Sequence, residues 1–91
     1  MITDEFVQRE ILRLAGINHK SACISTRRMS AFYNVPEPRI RRQLTTLADQ
    51  KKIRLTGWDG RALRPYSDWA CAEDFVNSHA DGGHFHVELA D

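Results

Sequence analysis

The sequence predicts a small, mainly helical α+β domain: a three-helix core, a β-hairpin, and a C-terminal extension with one more helix and strand. Three observations predict it. Val7, Ile11 and Leu14, and again Ile40, Leu44 and Leu47, recur at i, i+4, i+7, which gathers apolar side chains on one helix face. Asp59-Gly60 separates two short alternating segments, a strong hairpin signal because both residues tolerate positive φ. Phe85, Val87 and Leu89 alternate with His84, His86 and Glu88, the period of a half-buried strand.

Each element has its own local reasons. Thr3 is placed to N-cap a first helix, with Asp4 and Glu5 in its positively polarised first turn and Gly16 as its stop. Residues 17–23 lack a helical period and read as loop, with a short strand near Ile24. Ser25 caps a second helix over Thr26–Tyr33, expected to bury Met29, Phe32 and Tyr33. Asn34 then suits the left-handed conformation of a tight turn.

The stretch Val35-Pro36-Glu37-Pro38 could be a stiff linker or a helix start. Proline at a first helical position loses no hydrogen bond, and Glu37 suits the positive end of the helix dipole. Val35 can staple the face formed by Ile40, Leu44 and Leu47. A third helix is therefore expected over 37–50. On its wheel Arg42 and Thr45 point outward, Arg41 lies on one shoulder, and Arg39 and Thr46 lie on the other.

In the hairpin, Ile53, Leu55 and Leu63 are expected inward, with Arg54, Thr56 and Arg64 outward; Pro65 suits the strand's end. Ser67-Asp68-Trp69 opens a fourth helix to about residue 77, broken by Ala80-Asp81-Gly82-Gly83. The reading divides the chain into a domain over 1–66 and an acidic extension over 67–91, packed on it or forming a dimer surface.

Net charge is +1, but it is segregated. Residues 20–66 carry eleven basic groups against three acids, a net of +8, whereas residues 67–91 hold six acids and no Lys or Arg. Such asymmetry points to a polyanionic partner. No apolar run approaches the roughly 18 residues of a membrane span, and the N-terminus lacks the layout of a signal peptide. Cys23 and Cys71 have no C-x-x-C partner, so neither a zinc finger nor a disulfide framework is expected, and a reducing cytoplasm fits. The chain holds no G-x-S-x-G, P-loop or H-E-x-x-H motif, so it reads as a non-enzyme without a cofactor. His84-x-His86-x-Glu88 offers metal-ligand types, yet reads better as the solvent side of a strand, and no metal is expected.

Ile24-Ser25-Thr26-Arg27-Arg28-Met29-Ser30-Ala31-Phe32-Tyr33-Asn34-Val35 carries a small residue at Ser30 and a turn residue four later at Asn34; a β-branched residue, Ile40, follows six later. With Leu44-x-x-Leu47 and Lys52-Ile53-Arg54-Leu55 after it, this resembles the winged helix-turn-helix superfamily of DNA-binding domains, of the bacterial or phage regulator type, over about residues 3–66. The resemblance implies a sequence-specific binder of double-stranded DNA, a small transcriptional regulator acting as a dimer. Its third helix would dock in the major groove and its hairpin would serve as the wing.

The same resemblance assigns Arg42 and Thr45 to base edges, Arg39, Arg41 and Thr46 to base or phosphate, and Arg27 and Arg28 to phosphates. It assigns Arg54, Arg61 and Arg64 to the backbone or minor groove beside the wing. The residue types suit these roles: guanidinium can bond guanine bidentately, and threonine offers a hydroxyl and a methyl. Pro36 and Pro38 depart from the pattern, because they remove N–H groups that could grip a phosphate at the helix tip.

The alternative is a protein-interaction module without DNA binding, working through Trp58 on the hairpin or through the extension. Trp58 can fold back on the hairpin or stay exposed, and Trp69 is expected in the core. The extension itself can pack on the domain, form a dimer surface through Trp69, Phe75, Phe85, Val87 and Leu89, or cover the basic face as a competitor for phosphate.

Overall fold

The Thr3 hydroxyl accepts the N–H of Phe6 and starts α1 (Asp4–Ile17), which buries Val7, Ile11 and Ala15. The computed structural model describes residues 2–78 and 83–90. α1 runs through Gly16 rather than stopping there. Asn18 ends it by donating its side-chain N–H to the Leu14 carbonyl at 3.0 Å, and His19 and Lys20 make the turn at positive φ. β1 (Ser21–Ser25) follows, longer than the short strand expected near Ile24.

The Ser25 hydroxyl accepts the Arg28 N–H and caps α2 (Thr26–Tyr33). Asn34 sits at φ 56°, ψ 47°, and its N–H bonds the Ser30 carbonyl. α3 (Glu37–Asp49) starts behind Pro36, as the proline placement predicts, and buries Ile40, Leu44 and Leu47 without exposure. β2 (Ile53–Trp58) alternates as expected, with Ile53 and Leu55 buried and Arg54 exposed.

The hairpin to β3 (Leu63–Pro65) is built on Asp59, whose Oδ1 accepts the N–H groups of Arg61 and Ala62. Gly60 takes φ 101°. Leu63 corrects the inward expectation: it is exposed, because it pairs with Trp58 on the open side of the sheet.

The expected fourth helix is split. A single 3-10 turn spans Tyr66–Asp68, the chain is extended through Trp69 and Cys71, and α4 covers only Ala72–Val76. The split lets Tyr66 and Trp69 both set their rings edge-on against Phe75, each at 5.2 Å, which one continuous helix would not allow. The expected break over residues 80–83 lies mostly outside the described residues; Gly83, which is described, is buried at φ 68°. β4 (His84–Leu89) closes the fold, with Phe85 and Val87 buried.

The fold is thus α+β, with four helices and one four-stranded antiparallel sheet among the described residues. Strand order is β1-β4-β2-β3. The C-terminal strand lies between β1 and β2, with Cys23 opposite His86 and Thr56 on its other side. Residues of the extension therefore complete the central sheet and the core. Phe75, Phe85 and Val87 are at most 1% exposed, so of the alternatives open for the extension they are used for packing on the domain and are not available as a dimer surface. No helix among the described residues is long and apolar enough to cross a membrane.

Candidate nucleic-acid interface

α3 presents a narrow outward stripe. Pro38, Arg42 and Asp49 are exposed, Glu37, Arg39, Thr46 and Ala48 are half-buried, and the rest of the helix faces neighbours. α1 covers one side: Gln8 donates to the buried Gln43, and Arg39 bonds the Asp4 carboxylate at 2.8 Å and the Ile2 carbonyl at 2.9 Å. α4 covers the other.

That second cover corrects two expected DNA contacts. Arg41 is 7% exposed and ties four parts of the fold together. Its Nη1 donates to the Ser78 carbonyl at 2.6 Å and toward that of Val76 at 3.4 Å. Its Nη2 bonds Glu37 at 2.7 Å, its Nε reaches the Thr26 hydroxyl, and its guanidinium lies 5.6 Å from the Phe85 ring centre. Thr45, expected outward, is 2% exposed, and its hydroxyl donates to the Arg42 carbonyl at 2.8 Å. The wheel identified the core face of α3 correctly but gave no sign that α4 would bury a second face.

Arg42 stays exposed, yet it is engaged. Its Nη1 and Nη2 meet the two carboxylate oxygens of Glu73 on α4, at 2.8 and 3.1 Å. The hydrogen bonds of this fork raise the Arg42 pKa and lower that of Glu73, so the pair is ionised throughout neutral and mildly acidic pH.

The other basic residues divide by place. Arg27 is exposed at the start of α2, 3.9 Å from the Glu37 carboxylate and therefore beside the start of α3. Arg28 is exposed but lies away from α3, in a groove with Leu14, Met29 and Phe32. Arg54 projects from the open face of the sheet and pairs with Glu88, directly opposite on β4. Arg64 is held by Asp59 and the Asp68 carbonyl. Arg61, at the hairpin tip, and Lys51 and Lys52, after α3, are exposed and make no ion pair among the described residues. Much of the basic excess of residues 20–66 is thus folded into intramolecular pairs, with Glu73 and Glu88 of the extension supplying two partners.

No family model, curated protein or solved structure matches the chain. The arrangement has to be interpreted from its own chemistry. What lies together on the α3 side is Arg27, Arg42 and the half-buried Thr46. Arg28 and Arg54 point to other surfaces. Two features carried no sequence signal: Glu73 as the carboxylate over α3, and Phe32, expected in the core but 82% exposed. Met29 and Tyr33, one turn apart, take the inward positions of the short α2 and leave Phe32 at its edge.

Proposed function

We propose that the chain binds double-stranded DNA as a winged helix-turn-helix module and acts as a small transcriptional regulator. The observation that carries this reading is the α2–turn–α3 unit. Two helices are joined through left-handed Asn34, and Arg27 and Arg42 flank the exposed start of the second. Arg42 is the side chain suited to a base edge, because it is the one fully outward arginine of α3. Thr46, half-buried one turn further on, has a hydroxyl and a methyl to offer beside it. Arg27, Lys51, Lys52 and Arg61 supply the phosphate contacts, which fix position without reading sequence. Arg41 and Thr45 hold the fold and take no part in contact.

Amide shift mapping tests the reading. A 16-base-pair duplex titrated into the labelled chain should perturb Arg27, Arg42, Thr46, Gly60 and Arg61. Perturbation confined to the open sheet face around His86 would place the nucleic acid elsewhere and overturn it.

A further inference from the structure

Phe32 is the most exposed large apolar residue of the described fold at 82%, and it is not loosely held. Its ring stands edge-on to Tyr33 at 4.9 Å, and Tyr33 stands edge-on to Phe6 at 5.4 Å. The Tyr33 hydroxyl donates to Glu10 at 2.7 Å, and Glu10 is gripped by Arg13. An aromatic side chain fixed in water by a chain of contacts is preorganised for a partner.

Beside it, α1 and α2 enclose an open groove of about 510 Å³. Its apolar lining is Leu14, Met29, Ala31, Phe32 and Tyr33, joined by the side chains of Arg13 and Arg28. Ile17, 61% exposed and three residues on from Leu14, extends the apolar strip along α1. No carboxylate lines the groove. Glu10, the nearest acid on α1, is spent on Arg13 and Tyr33, while the Arg28 guanidinium has no ion-pair partner among the described residues.

We propose that this groove is a docking site for an acidic amphipathic segment of another protein, one that seats large apolar side chains against Phe32 and Met29 and sets a carboxylate against Arg28. Charge selects this occupant. A second copy docking by the same face would offer the Arg28 guanidinium no carboxylate, because none lines the groove and Glu10 is already held by Arg13. DNA is disfavoured by the apolar floor, which would be buried against phosphate. An amphipathic helix fits, because its apolar residues at i and i+4 fall in a groove of this kind while its flanks stay polar. Met29 adds an adaptable surface to the floor. The groove lies apart from the proposed DNA contacts on α3 and the hairpin, and Arg27, the one DNA contact on α2, turns the other way toward Glu37.

The test uses a fluorescein-labelled 15-residue helical peptide with two Leu and one Trp on one face and four Glu at its edges. Two control peptides carry Lys for Glu, or Ser for Leu and Trp. Anisotropy should show binding of the acidic peptide alone, with amide shifts at Leu14, Arg28, Met29 and Phe32. Phe32→Ser and Arg28→Glu should each weaken binding about tenfold or more, the loss of one interface anchor. Both residues are exposed, so an unchanged amide spectrum elsewhere confirms that the variants fold. Equal binding of the lysine peptide, shifts on another surface, or full affinity in Phe32→Ser would overturn the proposal. So would concentration-dependent dimerisation abolished by Phe32→Ser, because the occupant would then be a second copy.

Discussion

Arg42 on α3 and Glu73 on α4 form a forked ion pair, with both guanidinium Nη atoms set against both carboxylate oxygens at 2.8 and 3.1 Å. The position of Glu73 is not accidental to its side chain. Phe75, two residues on, is wholly buried, and Arg41 holds the carbonyls at the end of α4. The core therefore fixes a carboxylate over the same Nη edge that a guanine would take.

In the proposed mode of binding, Glu73 competes with nucleic acid for Arg42. Glu73→Gln should raise affinity for random-sequence duplex at low salt several-fold. It should also steepen the log–log salt slope, because the surface facing the duplex loses a negative charge. Stability should change little, because the pair is exposed. Parallel anisotropy titrations and urea melts of the two proteins check both statements.

Arg41 presents the opposite case. Arg41→Ala leaves the Ser78 and Val76 carbonyls and the half-buried Glu37 without their donor. A loss of roughly 2–3 kcal/mol is expected, the range for hydrogen bonds to a charged group whose partners stay buried. Urea unfolding measures it. An unchanged midpoint would mean that the Arg41 hydrogen bonds add nothing net to what Phe75, Val76 and the Glu73 pair already hold.

Gly57 lies in β2 where a Cβ would stand 2.9 Å from Phe75 and 3.2 Å from Phe85. Both rings are buried, so neither can move aside cheaply. Gly57→Ala should cost about 1–3 kcal/mol through overpacking. The strain falls on the contact between α4 and the sheet, so amide exchange should quicken first in 72–76.

The Arg13 hydrogen bond, and after it that of Tyr33, pulls the Glu10 pKa from 4.5 down to about 2. A folded pKa below the unfolded one means a contribution that is complete above pH 4.5 and is lost as pH falls toward 2. Wild type should therefore lose more stability than Glu10→Gln across that window. Chemical denaturation at pH 6, 4 and 2.5 makes the comparison, and equal losses would contradict it.

Most elements were legible where one short segment decided them, the split fourth helix and the outward Leu63 being the exceptions. Thr3 and Ser25 cap the helices they were expected to cap, Asn34 turns left-handed, and Pro36 starts α3 rather than a linker. Asp59 and Gly60 make the hairpin turn, and the alternation of Phe85 and Val87 gave β4. What the sequence hid was which elements meet. β4 enters between β1 and β2, a pairing of residues about thirty to nearly seventy positions apart that no local period encodes. α4 settles on α3 and takes Arg41 into the interior, and Thr45, one turn on, is buried as well. A helical wheel shows one apolar face, but a second buried face built from arginine and threonine is visible only once its covering element is in place. The candidate site was accordingly half legible: Arg27, Arg42 and Arg61 remain outward, while Arg41 and Thr45 do not.

The central claim is that this surface binds duplex DNA, and the salt dependence of binding tests it most directly. With three to five phosphates neutralised by Arg27, Lys51, Lys52 and Arg61 or their neighbours, log K should fall against log salt with a slope of roughly −3 to −4.5. Arg42→Ala should reduce discrimination between selected and random duplexes by about 1–3 kcal/mol. Arg61→Ala should weaken both duplexes alike. Absence of binding at about 50 mM salt, or a slope near zero, would contradict the account.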